Sequence, residues 1–399
     1  METRHRSWGQ SGTVPNQVER EGQETSVTDT DRDRYSQVLD YCVARTRENL
    51  ARLDAFPHST RQGRWRTSHH GRWTAGHWVG MIWLAYLRSG DPALLETAYR
   101  WSERLESRKT DTTTHDMGFL FYPSFVRGYR ITGDPTFRDA ALTAAHSLAT
   151  RFHDRGDFIQ AWDEAEDPIH AGRTIVDTVM NLPLLLWAAD ETGESRLREI
   201  ALRVAAMTAR HHVRADGSTY HVVDFHPATG EPVRYTTHQG LHDESFWTRG
   251  QAWAIYGFSS VARISGRQEF RRVANRLADF FVEHLQPGQA PPWDFAAAGP
   301  DEPRDAAAGA IAADGLLDLA MTAVDTAEHA RRLDEARRLL DVLITTCIEG
   351  DTDYQGLLSH ATADRPRNSA VDESLIYGDH YFFEAIFRVA DPRTVSPYV

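Results

Sequence analysis

One turn recurs along the chain between two helix-like segments, and it restricts the fold more than any other feature. It reads Ser89-Gly90-Asp91-Pro92, Thr132-Gly133-Asp134-Pro135, Thr192-Gly193-Glu194-Ser195 and Ser265-Gly266-Arg267, with a weaker echo at Asp325-Thr326. Glycine ends one helix in a left-handed conformation, Asp or Ser caps the next, and proline suits its first position. After each turn the apolar residues fall three and four apart: Phe137, Ala141, Ala144 and Leu148; Leu197, Ile200, Ala201 and Val204; Phe270, Val273, Leu277 and Phe281. These helices have one solvated side. The segments before the turns differ. Val79–Leu87, Leu182–Ala189, Ala252–Val261, Ala306–Ala320 and Tyr381–Val389 are apolar or small nearly all round, the mark of helices buried on every side.

With Tyr35–Leu53 as the first outer helix, the pattern gives about twelve helices in six inner and outer pairs. The expected fold is all-α, an (α/α)6 barrel. The turns are irregularly spaced, unlike an open helical solenoid. A small hairpin is expected from Tyr220–Phe225 and Val233–Thr236. The polar stretch 1–32 reads as a disordered leader without the apolar core of a secretory signal, and 33–399 as one barrel domain.

Composition narrows the function. The net charge of −13 comes from 57 acidic and 44 scattered basic residues, which makes nucleic acid and anionic membranes poor partners. No stretch is apolar enough to span a membrane. Cys42 and Cys347 form no disulfide framework, and the expected compartment is the cytoplasm. The 19 histidines include no His-Glu-x-x-His pattern, so no metal is expected. There is no phosphate loop or serine-hydrolase elbow, and no cofactor is expected. The oligomeric expectation is a monomer or dimer.

Polar and aromatic residues gather just ahead of the inner helices, at Arg72-Trp73, His115-Asp116, Arg173–Asp177, His238–Arg249, Arg304-Asp305 and Gly378-Asp379. Inner helices of an alternating barrel run the same way, so these segments should meet at one rim. Helix N-termini there favour anions. A carboxylate just ahead of a helix is more often a cap than a catalyst, and Asp116 could simply cap the helix entering at Phe119. Asp177 stands among Ile175, Val176, Val179 and Met180, and burial there would raise its pKa, as a general acid requires. Trp73, Trp78, Trp247 and Trp253 are either core or sugar platforms. His221, His238, Gln239 and Arg249 are surface residues or, together, a pocket for an acidic group.

Several motifs resemble the unsaturated glucuronyl hydrolases, glycoside hydrolase family 88. They are Thr114-His-Asp-Met-Gly-Phe119, Asp177-Thr-Val-Met-Asn-Leu-Pro-Leu-Leu185, Thr237-His-Gln-Gly240 and Trp247-Thr-Arg-Gly-Gln-Ala-Trp-Ala-Ile-Tyr-Gly-Phe258. Shorter matches are Trp293-Asp-Phe295, Arg304-Asp305 and Gly378-Asp-His-Tyr381, so the likeness runs from about residue 35 to 390. It implies an (α/α)6 barrel, Asp177 as general acid/base and Asp116 as second catalytic aspartate. It also implies that His221, Gln239, Arg249 and Trp253 hold the substrate, with Trp73 stacking on it; His115 and His238 are expected beside them as further substrate-binding residues. The substrate it implies is a small oligosaccharide ending in an unsaturated uronate, whose C4=C5 vinyl ether is hydrated. The likeness thins at Arg72-Trp73-Thr-Ala75-Gly-His77, where family members carry acidic residues. It thins again over Ser359–Ser374, where some members have a serine- and lysine-containing segment. Both departures fall on the aglycone side. Other readings of the chain are an unsaturated rhamnogalacturonyl hydrolase, an ordinary glycosidase or epimerase on the same barrel, and a non-catalytic helical scaffold.

Overall fold

The computed structural model describes residues 29–163, 171–297, 299, 301–350 and 353–395. Residues 1–28 of the expected leader lie outside these, and the first helix starts at Asp29, inside the stretch assigned to the leader.

The chain opens with α1 (Asp29–Arg52) and a hairpin of β1 (Phe56–Arg61) and β2 (Arg64–Ser68), followed by α2 (Ala75–Ser89) and α3 (Pro92–Glu106). Then come α4 (Met117–Phe121), a π turn at Tyr122–Val126, α5 (Arg127–Thr132) and α6 (Pro135–Ala149). Two short strands, β3 (Phe152–His153) and β4 (Phe158–Ile159), precede β5 (Arg173–Ile175). A 3-10 turn at Val176–Asn181 leads into α7 (Leu182–Thr192), and α8 (Ser195–His211) follows. Next are β6 (Val222–Phe225), β7 (Pro232–Thr236), α9 (Thr248–Ser265), α10 (Gln268–Glu283), α11 (Ala306–Met321) and α12 (Thr326–Thr346). The last are α13 (Ile376–Ala390) and the short α14 (Pro392–Val395).

Neighbouring inner helices pack in a closed ring: α2 on α4, α4 on α7, α7 on α9, α9 on α11, α11 on α13, and α13 back on α2. Outside it, α1 covers α13 and α2, α3 covers α2, α6 and α8 cover α7, α10 covers α9, and α12 covers α11. This is the (α/α)6 barrel expected. Every residue of α11 from Ala306 to Ala320 is buried, whereas α10 buries only the stripe through Phe270, Ala274, Leu277 and Phe281. Removing those inner surfaces from water on all sides is the main drive for closing the ring.

The punctuating glycines behave as expected. Gly90, Gly133, Gly193 and Gly266 have φ of 65°, 71°, 76° and 71°, with open space where a Cβ would sit. Glycine is required there by backbone conformation alone. Asp91 and Asp134 cap the next helices through Ala93 N and Thr136 N, each at 2.9 Å, and Asp325 caps α12 through Glu328 N at 2.8 Å. The third turn differs: Glu194 holds the cap position without a side-chain bond, and Ser195 lies inside α8.

In the second inner helix, Pro123 has no N–H to donate, and the helix widens into the π turn. The carbonyls of Phe119 and Leu120 there press on Gly76 of α2, leaving no room for a Cβ. The hairpin expected after α8 is β6–β7, and β5 joins it to make an antiparallel sheet of order β5-β6-β7. The β1–β2 hairpin was not anticipated. It turns through Gln62 and Gly63, whose φ of 52° and 73° fit the twist-matched two-residue hairpin turn.

Candidate active site

Contacts join the starts of all six inner helices at one rim. Trp73, ahead of α2, stacks at 4.9 Å on Tyr377, which opens α13. His115 Nδ1, ahead of α4, lies 2.9 Å from Thr178 Oγ1 in the turn before α7. Arg249 at the start of α9 pairs with Asp305, the N-cap of α11.

Asp177 sits in the first turn of the 3-10 segment, two residues past β5. Sheet register fixes its neighbour: Ile175 pairs with Val222 and Val176 N donates to His221 O at 2.9 Å, which brings His221 alongside. Asp177 is 9% exposed, and its Oδ2 has no hydrogen-bond partner. Burial pushes its carboxyl up to about 7. Its own backbone N–H and the Arg249 guanidinium oppose that rise, and the charge of Asp116 adds to it. His221 Nδ1 accepts the backbone N–H of His238 at 3.1 Å, so the ring proton sits on Nε2, 3.9 Å from Asp177 Oδ2. Burial, then His238 and other nearby positive groups, hold His221 far below the usual histidine range. This close approach therefore involves a neutral donor, not an ion pair.

Asp116 stands at the start of α4 but caps nothing there. Its Oδ2 instead accepts Thr114 Oγ1 at 2.7 Å, and its Oδ1 lies 3.3 Å from His115 Nε2. The side chain keeps 13% of its surface exposed. A cap would have turned the carboxylate onto the α4 N–H groups; here it is aimed elsewhere.

The floor is aromatic. Trp253, at 1% exposure, packs on Phe119 at 5.0 Å and on Tyr377 at 5.8 Å. Above it, Arg249 Nη1 and Nη2 donate to the carbonyls of Thr362 and Ala363, both at 2.5 Å. Gln239 Nε2 also donates to Ala363 O, at 2.8 Å. His238 faces Trp162 with ring centres 5.1 Å apart, and its Nδ1 lies 3.0 Å from Arg367 Nη2. Among the described residues, no three His, Cys, Asp or Glu side chains come together as a metal site, and no helix is long and apolar enough to cross a membrane.

The model of glycosyl hydrolase family 88 matches residues 46–331. The chain belongs to that family. An unsaturated glucuronyl hydrolase of Bacillus sp. strain GL1 is 35% identical, over 91% of this chain and 98% of its own. An unsaturated chondroitin disaccharide hydrolase of Streptococcus pyogenes serotype M1 is 34% identical, over 88% of this chain and 90% of its own. The solved structure of the Bacillus enzyme, described as responsible for glycosaminoglycan degradation, superposes with a TM-score of 0.88 at 33% identity. It covers 90% of this chain and 98% of its own.

Within this family 88 barrel the expected residues divide into layers. Asp177, Asp116, Trp73, His221, His238, Gln239, Arg249 and Trp253 gather at the rim. His115 is fully buried and stands behind Asp116, its Nε2 3.3 Å from Asp116 Oδ1. Trp78 is also fully buried, packed on Trp101 at 5.8 Å, and is core instead of a platform. Trp247, 4% exposed, backs His221 at 4.3 Å and lies under the Arg249 guanidinium at 4.7 Å. Arg249 reaches the site with both terminal nitrogens already engaged.

Three residues absent from the expectation complete the rim. Tyr377 lies between Trp73 and Trp253, Thr178 holds His115, and Trp162 bridges to Thr114 beside the Asp116 arm while packing on Ile175 and Val222. Tyr377 is contiguous with the Gly378-Asp379 match and could have been read from it. Trp162 had only the signal of an indole in a polar loop.

Proposed function

We propose that the chain hydrolyses small oligosaccharides ending in an unsaturated glucuronate, with Asp177 as proton donor and Asp116 as its partner. The observation that carries this is a buried carboxyl with a pKa of about 7 and an unpaired oxygen, set beside a second carboxylate in a family 88 barrel. An acid of that strength keeps an appreciable share of its protons near neutrality and gives them up readily.

The double bond of such a substrate lies between C4 and C5, conjugated with the C6 carboxylate, and C5 also carries the ring oxygen. Asp177 donates its proton to C4, and the cation that forms at C5 is shared with the ring oxygen. Asp116 stabilises that positive charge. Water adds at C5 and returns a proton to Asp177, restoring the acid. The resulting hemiketal opens, and the aglycone leaves without direct attack at C1. The carboxylates thus do the work of a glycosidase pair on a different carbon. His221, Gln239, Arg249 and the Trp253 floor support the uronate end, while His115 orients Asp116. The names of the relatives favour this substrate over a rhamnogalacturonan-derived one. Two free, buried cysteines fit a reducing compartment, and we infer the cytoplasm as the place of action.

The test is to incubate the enzyme with an unsaturated glucuronyl disaccharide in heavy water. The ultraviolet absorbance of the conjugated double bond should fall as substrate is consumed, and the uronate product should carry deuterium at C4. Aglycone release with steady absorbance and no label would show displacement at C1.

A further inference from the structure

From Ala55 to Gly90 the sequence contains no Asp or Glu, yet it holds Arg61, Arg64, Arg66 and Arg72, all exposed. None of these four pairs with a carboxylate among the described residues, whereas Arg88 in the same segment and Arg108 beyond it pair with Asp40 and Asp111. The chain as a whole is strongly acidic, with a net charge of −13, and its overall field repels an anionic oligosaccharide.

The segment lies at the mouth. Strand β1 packs on α2 and α13, and Ser59 bridges to Leu375, the N-cap of α13. His58, on the same strand, has its ring 6.3 Å from that of half-buried Trp73. Strand register sets Arg66 opposite Ser59, beside His58, and Arg72 directly precedes Trp73, so both arginines stand on the Trp73 edge of the rim. Arg72 also adopts φ of 50° directly after Gly71 at 77°. That conformation is costly for a side chain bearing a Cβ, and glycine would fill it without strain. The turn is held by Arg108, whose Nη1 donates to His70 O at 3.0 Å and Arg72 O at 2.8 Å while its other nitrogens grip Asp111. The fold thus keeps an arginine beside Trp73 where glycine would be easier.

We propose that this edge is an anion subsite, in which Arg72 and Arg66 hold a carboxylate or sulfate on the aglycone while its ring lies against Trp73. Guanidinium groups suit either anion, because both accept paired N–H donors. The inference rests on the proposed vinyl-ether activity and adds what the leaving sugar must carry.

The experiment compares kcat/KM on unsaturated glucuronyl disaccharides with a neutral, a sulfated or a uronate aglycone. The wild type should prefer one or both anionic arms, which names the anion, and added salt should shrink that preference. Arg72→Gly combined with Arg66→Gln should cut the preference roughly tenfold, through KM with kcat kept. Its thermal midpoint should not fall, because glycine suits the backbone at 72. Arg276→Gln, which removes an exposed arginine of the outer helix α10, should leave the preference as it was. Equal kcat/KM on all three arms, or a folded double variant with wild-type preference, overturns the subsite and leaves the activity standing. No turnover on any arm removes the activity and the subsite with it.

Discussion

As the proposed proton donor, Asp177 works only while it holds its proton, and burial holds the proton there. Activity should fall as pH rises through about 7. His221 does not titrate in that range, because burial and surrounding positive charge keep it neutral well below it. Asp116 adds negative charge to the same locus, so Asp116→Asn should move the alkaline limb of residual kcat/KM to lower pH. An unmoved limb would mean that the two carboxyls are not coupled. Asp177→Asn should cost roughly 10²–10⁴ in turnover while leaving circular dichroism unchanged. The linkage gives a second readout. A folded pKa raised from 3.8 to about 7 contributes stability that is full below 3.8 and lost as pH rises through 7. The Asn variant should therefore melt higher than wild type at pH 8. The burial of Asp177 was legible in the sequence because its neighbours are apolar. The burial of His115 was not, since a sequence motif does not say which of two adjacent residues turns inward. Nor could it show that Arg249 already serves Asp305 and two carbonyls of a loop more than a hundred residues away.

At the scale of elements, the β5-β6-β7 sheet positions the chemistry. Strand β5 runs into Asp177, β6 begins after His221, and β7 ends just before His238 and Gln239, so one register sets the spacing of four site residues. Asp224 on β6 fastens it. This fully buried carboxylate accepts Arg173 Nε of β5 at 2.7 Å and Arg234 Nη2 of β7 at 2.8 Å. Burial raises its pKa, but the hydrogen bonds from Arg173 and Arg234 outweigh that and hold it below the usual carboxylate range. Asp224→Ala would leave Arg173, only 12% exposed, without its counter-charge. The expected loss is about 3–5 kcal/mol, read from the urea midpoint. Turnover should fall as well, although no atom of Asp177 or Asp116 changes. Wild-type kcat in a destabilised variant would show that the sheet does not set the Asp177–His221 spacing. The β6–β7 hairpin was expected from the sequence, within Tyr220–Phe225 and Val233–Thr236. Strand β5 was not, because three residues carry no period and their partner strand lies far along the chain. The β1–β2 turn had a signal in Gln62-Gly63, weakened by Gln where Asn or Asp is usual.

Six buried helices must also be fastened to one another, and the periodicity that disclosed the barrel says nothing about how. The lock is electrostatic and lies deeper in the barrel than the active site. Arg127 of α5 pairs with Glu384 of α13, whose other oxygen accepts Tyr256 Oη of α9 at 2.6 Å. From the same α13, Arg388 donates to Asp314 Oδ1 at 2.8 Å and Asp318 Oδ1 at 2.5 Å on α11, and Arg263 of α9 donates to Asp318 Oδ2 at 3.0 Å. Single charged letters inside apolar helices were visible in the sequence, but their partners were not, because each pair spans two staves. Arg388→Met should unfasten α13 from α11 at a cost of about 3–5 kcal/mol, since it leaves buried acids short of a counter-charge. That cost should depend on pH in a stated direction. Burial already raises Asp314 far above the usual range even with Arg388 beside it, and Asp318 is held down by Arg263 and Arg388 against its own burial. Without Arg388 both carboxyls become weaker acids, and the folded variant takes up protons that the folded wild type does not. The deficit should be widest near pH 8 and narrow steadily toward pH 5. Urea melts of the two proteins across that range measure it. A deficit that stays constant with pH would mean that Arg388 fastens α13 to α11 by packing its stem and not by its charge.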